Sequence, residues 1–334
     1  MKRVLRSAVH DDDDLAVCPF SKKRKLGNVE VVCNQLTSTE KQFLKSKVKD
    51  MRKATRARNL MKRNGTLRNL EECMLTTNDM LEMYCAQRGL CHTSGIPLQC
   101  RTYSKWQASP ERLDDTRGYT KDNTVLVALE FNTAKQWNCA KFTAMFVDEV
   151  PTLDVLADFS VARKKHMKHE YPTDSNGDIR CWKCLQFKGI TMFYGVNLAI
   201  GCKLCAGHYN EVLRCSARGK LQSLLRGSRT RHKKRSRTNA YEREHNLTLQ
   251  VLIDQYRRQK GLCYYSDMPL QFDRPDMPWL ISLERIDVTR TYTSDNIILI
   301  CAELNATDHG AQCGNVELGW SRAKVAEVRA MHRV

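Results

Sequence analysis

The chain has 334 residues, enough for two or three small domains. Its 55 Lys and Arg outnumber its 37 Asp and Glu, and the net charge of +18 favours a polyanionic partner, most commonly nucleic acid. No apolar run approaches the ~20 residues that a membrane helix requires, and acidic residues interrupt the N-terminus before a signal-peptide core could form. These features predict a soluble protein that is not secreted and has no membrane partner.

Residues 1–37 mix both charges and contain few large apolar residues, which predicts a mobile tail. The tail contains a basic run that fits a nuclear import signal, although short basic runs are frequent in so basic a chain, and both interpretations stay open. This run is Lys22-Lys23-Arg24-Lys25. The 15 cysteines are odd in number and include two C-x-x-C pairs, which favours metal binding over a disulfide framework and predicts a reducing, intracellular compartment.

A first module is predicted from the pattern after the tail. A basic stretch at residues 52–63 precedes an amphipathic segment, and turn chemistry at residues 94–97 separates short extended pieces. A strand that ends around Glu111 is followed by a polar loop and by a β-branched strand from Thr124. The pattern then turns helical, with Asn132 on the first turns. The predicted order is strand, loop, strand and helix.

Residues 151–178 have the composition of a linker. Beyond them, Cys181-x-x-Cys184 is followed after seventeen residues by Cys202-x-x-Cys205. Four thiolates in two pairs at this separation are typical of a closed tetrahedral zinc site, which leaves no coordination position for catalysis. We therefore predict a structural Zn²⁺ in residues 179–218. This segment would contact DNA, or it would simply need the metal to fold.

The second half of the chain repeats the first. Residues 261–271 match residues 89–99 at seven of eleven positions, and residues 282–296 match residues 109–123 at ten of fifteen. Unrelated segments would agree at roughly one position in seventeen. The offset changes by one residue between the two blocks, and a basic stretch at residues 226–237 precedes the second copy as well. The chain therefore contains an internal duplication.

Each copy resembles the HNH, or His-Me finger, endonucleases, and especially the phage and plasmid group. Modules of that group read C-x-x-S-G-x-P-L, then S-L-D-R-I-D, G-Y-T, D-N and a helical Asn, and the resemblance covers about 85 residues in each copy. It implies a ββα fold that holds one divalent cation between an acidic residue of the first strand and an Asn of the helix. Carboxylate and amide oxygens suit Mg²⁺ or Mn²⁺.

The resemblance also implies particular residues. Glu111 and Asn132 would hold the cation in the first copy, and Glu284 and Asn305 would hold it in the second. Two further residues would brace the loop between the strands. These are Asn123 and Asn296.

This chain departs from the family in two places: its acidic ligand is Glu where Asp is usual, and its general base differs. Better-known members have a His directly after the acidic ligand, where this chain has Arg112 and Arg285. A guanidinium group stays protonated and cannot be the base, although it could bind phosphate with two hydrogen bonds. The first hairpin offers His92 in one copy and Tyr264 in the other. A His side chain, with a pKa of about 6.5, suits a general base, whereas a Tyr side chain, with a pKa of about 10, would need a cation beside it. His92 could equally be a histidine of the turn.

Two functions fit these observations. The first is a metal-dependent endonuclease that hydrolyses DNA phosphodiester bonds, with the two modules as an internal pseudo-dimer. The second is a non-catalytic DNA-binding protein built from degenerate modules, which the Arg at the base position supports. The first copy keeps more of the family pattern, with Gly118 and Lys135 where the second has Thr291 and Asp308. Activity is therefore expected in the first copy before the second.

The resulting prediction is an α+β protein. Two ββα-metal modules with flanking helices would occupy residues 38–150 and 219–334, separated by the linker and the four-cysteine zinc segment. Double-stranded DNA is the predicted partner, and a monomer is expected because one chain supplies both modules. The predicted DNA-binding residues of the basic stretches are Arg56, Arg58, Lys62, Arg63, Arg229, Arg231, Lys233, Lys234 and Arg235.

Overall fold

The computed structural model describes residues 36–60, 62–63, 66–67, 71–132, 137–160, 171–195, 198, 201–235, 245–272, 277–305 and 318–332. Three sequence-based expectations lie outside these ranges: nearly all of the mobile tail, the basic run at residues 22–25, and the comparison of Lys135 with Asp308. The side chains of four predicted DNA-binding residues also lie outside the described part of the chain: Lys62, Arg63, Lys234 and Arg235. The chain divides into two compact units, and each is described by itself.

Unit 1 contains the described residues of Met1–Pro151, Tyr265–Met268 and Ala302–Val334. Its first element is helix α1 (Ser38–Leu60). The helix begins at a capping box, because the Thr37 hydroxyl accepts a hydrogen bond from the Glu40 amide at 3.2 Å and the Glu40 carboxylate accepts one from the Thr37 amide at 2.9 Å. Its buried side chains recur every three or four residues, so one face packs on the unit and the other carries the basic residues.

The rest of the first copy is built around one antiparallel hairpin. The short strands β1 (Lys62–Arg63) and β2 (Thr66–Leu67) pair with each other, and helix α2 (Thr77–Ala86) follows. Strands β3 (Ala108–Arg112) and β4 (Thr124–Ala128) then pair with Glu111 opposite Val125. The β-branched and apolar residues of β4 are almost all buried, which explains why this segment is a strand.

The prediction that an α-helix follows β4 directly was wrong. A short 3₁₀ turn, Leu129–Phe131, follows the strand, and Asn132 ends that turn with φ −86° and ψ 75°. Helix α3 (Cys139–Phe146) begins only later, at a cap in which the Asn138 side chain accepts a hydrogen bond from the Lys141 amide. Sequence periodicity does not distinguish a 3₁₀ turn from the first turn of an α-helix.

An aromatic cluster forms much of the unit 1 core. Helix α7 (Arg322–His332) completes this unit, and Trp320, just before it, donates a hydrogen bond to the carbonyl of Glu130 at 2.9 Å. The Trp320 and Phe131 rings meet edge to face at a centroid distance of 5.1 Å. The other rings of the cluster are Trp137, Phe142 and Phe146. Such ring pairs add about 0.5–1.5 kcal/mol each beyond the area that they bury.

Unit 2 contains the described residues of Thr152–Tyr264 and Pro269–Cys301. It begins with the short hairpin of β5 (Ile179–Arg180) and β6 (Phe187–Lys188). Three helices follow: α4 (Lys203–Cys215), α5 (Ala217–Arg235) and α6 (Leu249–Arg258). Strands β7 (Ile281–Arg285) and β8 (Ile297–Cys301) form the last hairpin, with Glu284 opposite Ile298.

The structure confirms the coarse expectation of helices combined with small two-stranded sheets. The two copies have hairpins of the same length and the same register, since Glu111 and Glu284 are both the fourth residue of their strands. No helix in the described ranges is both long and apolar enough to span a bilayer. Eleven cysteines of these ranges have free thiols, and Cys85 is disulfide-bonded.

Candidate active site and metal centre

The loop between β3 and β4 is held by one buried asparagine. The Oδ1 atom of Asn123, a residue that is 2% exposed, accepts a hydrogen bond from the Asp114 amide at 2.8 Å. Its Nδ2 donates to the carbonyl oxygens of Asp114 and Gly118, at 3.0 and 2.8 Å. Asn296 makes the three corresponding bonds in the second copy. Both asparagines therefore hold the backbone of their loops.

Glu111 lies at the end of β3 and is half-buried. Its Oε1 accepts a hydrogen bond from the Arg112 amide at 2.9 Å, and Glu284 accepts the equivalent bond from Arg285 at 2.8 Å. Burial raises the pKa of the Glu111 carboxyl, although that amide and the charges of Arg112 and Arg58 act in the opposite direction. The positive charges near Glu111 do not fully compensate for the solvation that its carboxylate loses. Such a carboxylate is a favourable ligand for a hard divalent cation, which supplies the missing positive charge.

Asn132 is anchored on the strand that carries Glu111. Its Nδ2 donates to the Ser109 hydroxyl and to the Pro110 carbonyl, both at 2.9 Å. Because the nitrogen of this amide is bonded to β3, the oxygen is the atom that could bind a cation. In the second copy Glu284 is the fourth residue of β7 in unit 2, and Asn305 follows the 3₁₀ turn Ala302–Leu304 in unit 1.

Arg112 and Arg285 have a different role from the phosphate clamp that we expected. They are only 7% and 3% exposed. Nη1 of Arg112 donates to the carbonyl oxygens of Asp115 and Arg117, at 2.7 and 2.8 Å. Nη1 of Arg285 makes the two corresponding bonds in its own loop, at 2.6 and 3.2 Å. These guanidinium groups are buried and hydrogen-bonded to the loop backbone. They therefore stabilise the loop conformation and do not bind a substrate phosphate.

The two candidate bases occupy the same backbone position in the two copies. The amide of His92 donates to the Leu126 carbonyl at 2.9 Å, and that of Tyr264 donates to Leu299 at 3.0 Å. Burial lowers the pKa of His92, so its imidazole is neutral at pH 7 and can accept a proton. The His92 amide is bonded to β4 next to Val125, which is the strand partner of Glu111. In the second copy, the side chain of Tyr264 is exposed.

The bracing role of Asn123 can be tested by hydrogen exchange. Asn123→Ala removes the acceptor of the Asp114 amide and leaves two loop carbonyl oxygens without their donor. We expect the exchange of loop amides at residues 113–118 to accelerate about 10- to 100-fold, the equivalent of a loss of about 1–3 kcal/mol. Mass spectrometry of the exchanged chain measures this, and the loop at residues 286–291 is the internal control. Unchanged exchange in the first loop would show that Asn123 does not hold it.

The four cysteines of the two C-x-x-C pairs form one group. Their Sγ atoms all lie within 4.8 Å of one another, and in the described ranges this is the one group of three or more His, Cys, Asp or Glu side chains with such spacing. The first pair follows β5 and the second begins α4, where Cys202 is the N-cap. The Phe193 side chain, which is 2% exposed, packs against the buried sulfurs. The donor set fits a tetrahedral Zn²⁺.

Backbone amides around this group favour thiolates. Burial alone would raise the pKa of Cys181, but amide hydrogen bonds outweigh it and lower the pKa to about 6. One of these bonds comes from the Cys202 amide, at 3.2 Å. Burial and the neighbouring sulfurs raise the pKa of Cys205 to about 12, because four thiols this close cannot all ionise without a cation. The cysteine cluster is therefore arranged for a metal ion such as zinc.

The long helices α1 and α5 contain most of the predicted DNA-binding residues. Arg56 on α1 and Arg229 and Lys233 on α5 are exposed, and Arg231 is exposed as well. Arg58 is half-buried, because its guanidinium group lies against the braced loop of the first copy. Both helices therefore expose positive charge to solvent.

Two histidines attach the end of α5 to neighbouring segments of unit 2. His232 hydrogen-bonds to the Thr291 hydroxyl at 2.8 Å, and His245 hydrogen-bonds to the buried Ser228 hydroxyl at 2.9 Å. Their ring centroids are 5.5 Å apart. Burial, then the positive charges of His232 and Arg229, lowers the pKa of His245 below its usual value of 6.5. The neutral form is therefore the one that the folded chain favours.

This attachment should weaken in acid. The unfolded chain binds a proton at His245 more readily than the folded chain, so the stabilisation is complete above pH 6.5 and falls as the pH drops through 6.5 towards the lowered pKa. We expect faster amide exchange in residues 225–232 at about pH 5.5 than at about pH 7.5, after correction for intrinsic rates. His245→Asn should remove most of this dependence. An unchanged pH dependence in that variant would exclude His245 as its source.

In each copy, a glutamine that was not predicted from the sequence joins a helix to the hairpin. The two helices are α2 in the first copy and α6 in the second. The Nε2 atom of Gln87 donates to the Leu126 carbonyl at 2.7 Å, and its Oε1 accepts from the Leu126 amide at 2.8 Å. Gln259 makes the same two bonds with Leu299. The signal was available, because Gln recurs at equivalent positions of the two copies.

A buried glutamate in each copy was not predicted either. Glu130 and Glu303, at equivalent positions, are 1% and 0% exposed. Glu130 forms a salt bridge with Lys324, and Glu303 lies 3.6 Å from the Nζ atom of Lys141. Burial raises the pKa of Glu130 and lowers that of Lys324, and their pairing opposes both shifts. Breaking such a buried pair by removing one partner costs about 3–5 kcal/mol, so these residues hold unit 1 together.

Comparison of the chain with family models, with curated proteins and with solved structures finds no match. The function proposed for the chain therefore depends on the residues and geometry described above.

Proposed function

We propose that this chain is a metal-dependent endonuclease that hydrolyses DNA phosphodiester bonds with two fused HNH-like modules, each cutting one strand as an internal pseudo-dimer. One observation carries the proposal. The two copies have the same hairpin register, with a glutamate in the same place at the end of the first strand and a loop braced by an asparagine. A purely structural hairpin has no need of a half-buried carboxylate at that position in both copies.

The residues of the first copy fit the chemistry. Glu111 and the amide oxygen of Asn132 would hold Mg²⁺ or Mn²⁺, which supplies positive charge for the developing negative charge on the phosphate. His92, neutral at pH 7, would accept the proton of the attacking water. The second copy lacks a His at this position and offers Tyr264, which supports the expectation of a less active second module.

The zinc segment has a structural part in this proposal. Its four sulfurs would surround Zn²⁺ completely, which leaves no open position for a water or a substrate. The basic side chains of α1 and α5 would supply most of the DNA affinity, because contacts with phosphates release counterions from the duplex.

DNA affinity should therefore fall steeply with salt. If about six phosphates are contacted, the slope of log affinity against log salt is expected to be about −5. Fluorescence anisotropy with a labelled duplex at several salt concentrations measures this slope. A slope near zero would reject nucleic acid as the partner.

A second function is favoured by one observation. The arginine that replaces the usual His is bonded to the loop backbone in both copies, as it would be in modules that keep the fold and bind DNA without cutting it. Incubation of the purified chain with supercoiled plasmid, with Mg²⁺, with Mn²⁺ and with a chelator, separates the two functions. Nicked or linear plasmid that appears only with metal supports the nuclease. Plasmid that stays supercoiled although it is bound supports the binding protein.

A further inference from the structure

A tyrosine of each braced loop contacts two arginines. The centroid of the Tyr119 ring lies 5.7 Å from the guanidinium carbon of Arg58 and 5.4 Å from that of Arg112. Nη1 of Arg58 also donates to the Tyr119 hydroxyl at 3.3 Å. Tyr119 is 6% exposed, so the ring is a fixed platform for both guanidinium groups.

The second copy has the same arrangement. The centroid of the Tyr292 ring lies 5.3 Å from the guanidinium carbons of both Arg231 and Arg285, and Nε of Arg231 donates to the Tyr292 hydroxyl at 3.0 Å. Arg58 on α1 and Arg231 on α5 make the same contact with the tyrosine of their copy, although residues 38–60 and 211–233 are identical at only three of 23 positions. The same arrangement therefore occurs in both copies although the helices that carry the two arginines share little sequence.

The two arginines of each platform differ in what their guanidinium groups still offer. Arg112 is buried and bonded to loop carbonyls. Arg58 is half-buried, Arg231 is exposed, and within the described part of the chain neither forms a salt bridge with a carboxylate. By contrast, Arg117 in the same loop is paired with Asp122 at 2.8 Å. Arg58 therefore keeps donors and a charge that no described carboxylate neutralises.

Arg58 shares the Tyr119 ring with Arg112, the residue that directly follows Glu111 in β3. A guanidinium group and a divalent cation at Glu111 would repel each other unless an anion lay between them. A phosphodiester has that charge, and its oxygens match the planar donors of Arg in a bidentate geometry. The negative charge grows as the bond to phosphorus is attacked, so donors fixed in advance by the tyrosine stabilise the transition state more than the bound substrate.

We propose that Arg58 and Arg231 bind the phosphate that is cut, so that the long basic helices belong to the two active sites and are not separate DNA-binding arms. This inference rests on the proposed nuclease function. It reassigns to these helices the clamping role first expected of Arg112 and Arg285.

The test compares two double variants that remove the same charge. Arg58→Gln/Arg231→Gln removes the platform arginines, and Arg101→Gln/Arg257→Gln removes one exposed arginine from each unit outside α1 and α5. Plasmid cutting with Mg²⁺ or Mn²⁺ is measured at saturating protein, so that weaker binding does not limit the rate. We expect the platform variant to cut about 100- to 1000-fold more slowly than wild type and the control to stay within about 3-fold of it.

A third variant separates phosphate contact from packing. Tyr119→Phe/Tyr292→Phe keeps the rings and removes the hydroxyls, and circular dichroism and the thermal midpoint report whether each variant is folded. We expect the tyrosine variant to cut within about 10-fold of wild type, since only the orientation of the arginine is loosened.

Equal cutting rates for the platform variant and its control would overturn the inference and leave the nuclease proposal standing. If the platform variant does not fold, cutting at the wild-type rate by Arg58→Lys/Arg231→Lys would overturn it instead. If the wild-type chain cuts with neither Mg²⁺ nor Mn²⁺, the nuclease proposal fails and this inference fails with it.

Discussion

Glu111→Ala should convert a chain that cuts both strands into one that nicks, with a loss of at least about 100-fold in the cutting of one strand. The substitution removes the carboxylate at the end of β3 and leaves the hairpin, the braced loop and the basic helices in place. DNA binding should therefore be nearly unchanged, because the affinity comes mainly from the basic surface. The ratio of nicked to linear plasmid over time measures the effect.

Asp122→Ala is the matched control for this variant. Asp122 is an exposed carboxylate of the same loop, paired with Arg117, and its removal changes the net charge by the same amount. This variant should cut like wild type. Glu284→Ala should leave nicking or change nothing, since the second copy keeps less of the family pattern. If Glu111→Ala cuts both strands as fast as wild type, the metal assignment is wrong even though the fold stands.

Replacement of Cys181 and Cys202 by Ser should remove one Zn²⁺ per chain and unfold the zinc segment. These two sulfurs are the buried members of the cysteine cluster, and a four-thiolate zinc site contributes about 10–16 kcal/mol to folding in small zinc domains. The core of the segment is small, so little else would replace this contribution. Metal analysis of the purified variant and proteolysis of residues 171–215 report the two effects.

Cys215→Ser is the control for the zinc prediction. Cys215 lies at the end of α4, outside the cysteine cluster, and its Sγ is 3.5 Å from the Glu211 carboxylate. Zinc content and protease resistance should stay at the wild-type level in this variant. Wild-type chain without zinc, or equal zinc in the double Cys variant, would show that the cluster does not hold the metal.

The strands and the zinc cysteines could be predicted because each depends on a local pattern. The β-branched runs that begin at Thr124 and Ile297 are almost entirely buried strands, as an extended apolar segment requires. The two C-x-x-C pairs have a spacing that is typical of one shared metal ion, and their sulfurs meet in the structure. Duplication strengthened the prediction of the strands by giving two copies of the hairpin.

The site itself was less predictable because it depends on contacts between distant segments. Sequence alone could not show that Arg112 would be buried on its own loop, or that Arg58, far away on α1, would lie on Tyr119. The 3₁₀ turn before Asn132 was mistaken for a helix, since one turn of either has the same pattern. Buried pairs such as Glu130 with Lys324 join residues 194 positions apart, which no local pattern records.

The most direct measurement compares purified wild-type chain with Glu111→Ala/Glu284→Ala on supercoiled plasmid, with Mg²⁺, Mn²⁺ or a chelator. Preparing both proteins in the same way controls for a contaminating nuclease. We expect wild type to produce nicked and then linear DNA only when a divalent metal is present, and the double variant to bind the plasmid with wild-type affinity without cutting it. Plasmid that stays supercoiled with wild type under every metal, or that both proteins cut equally, would contradict the nuclease function.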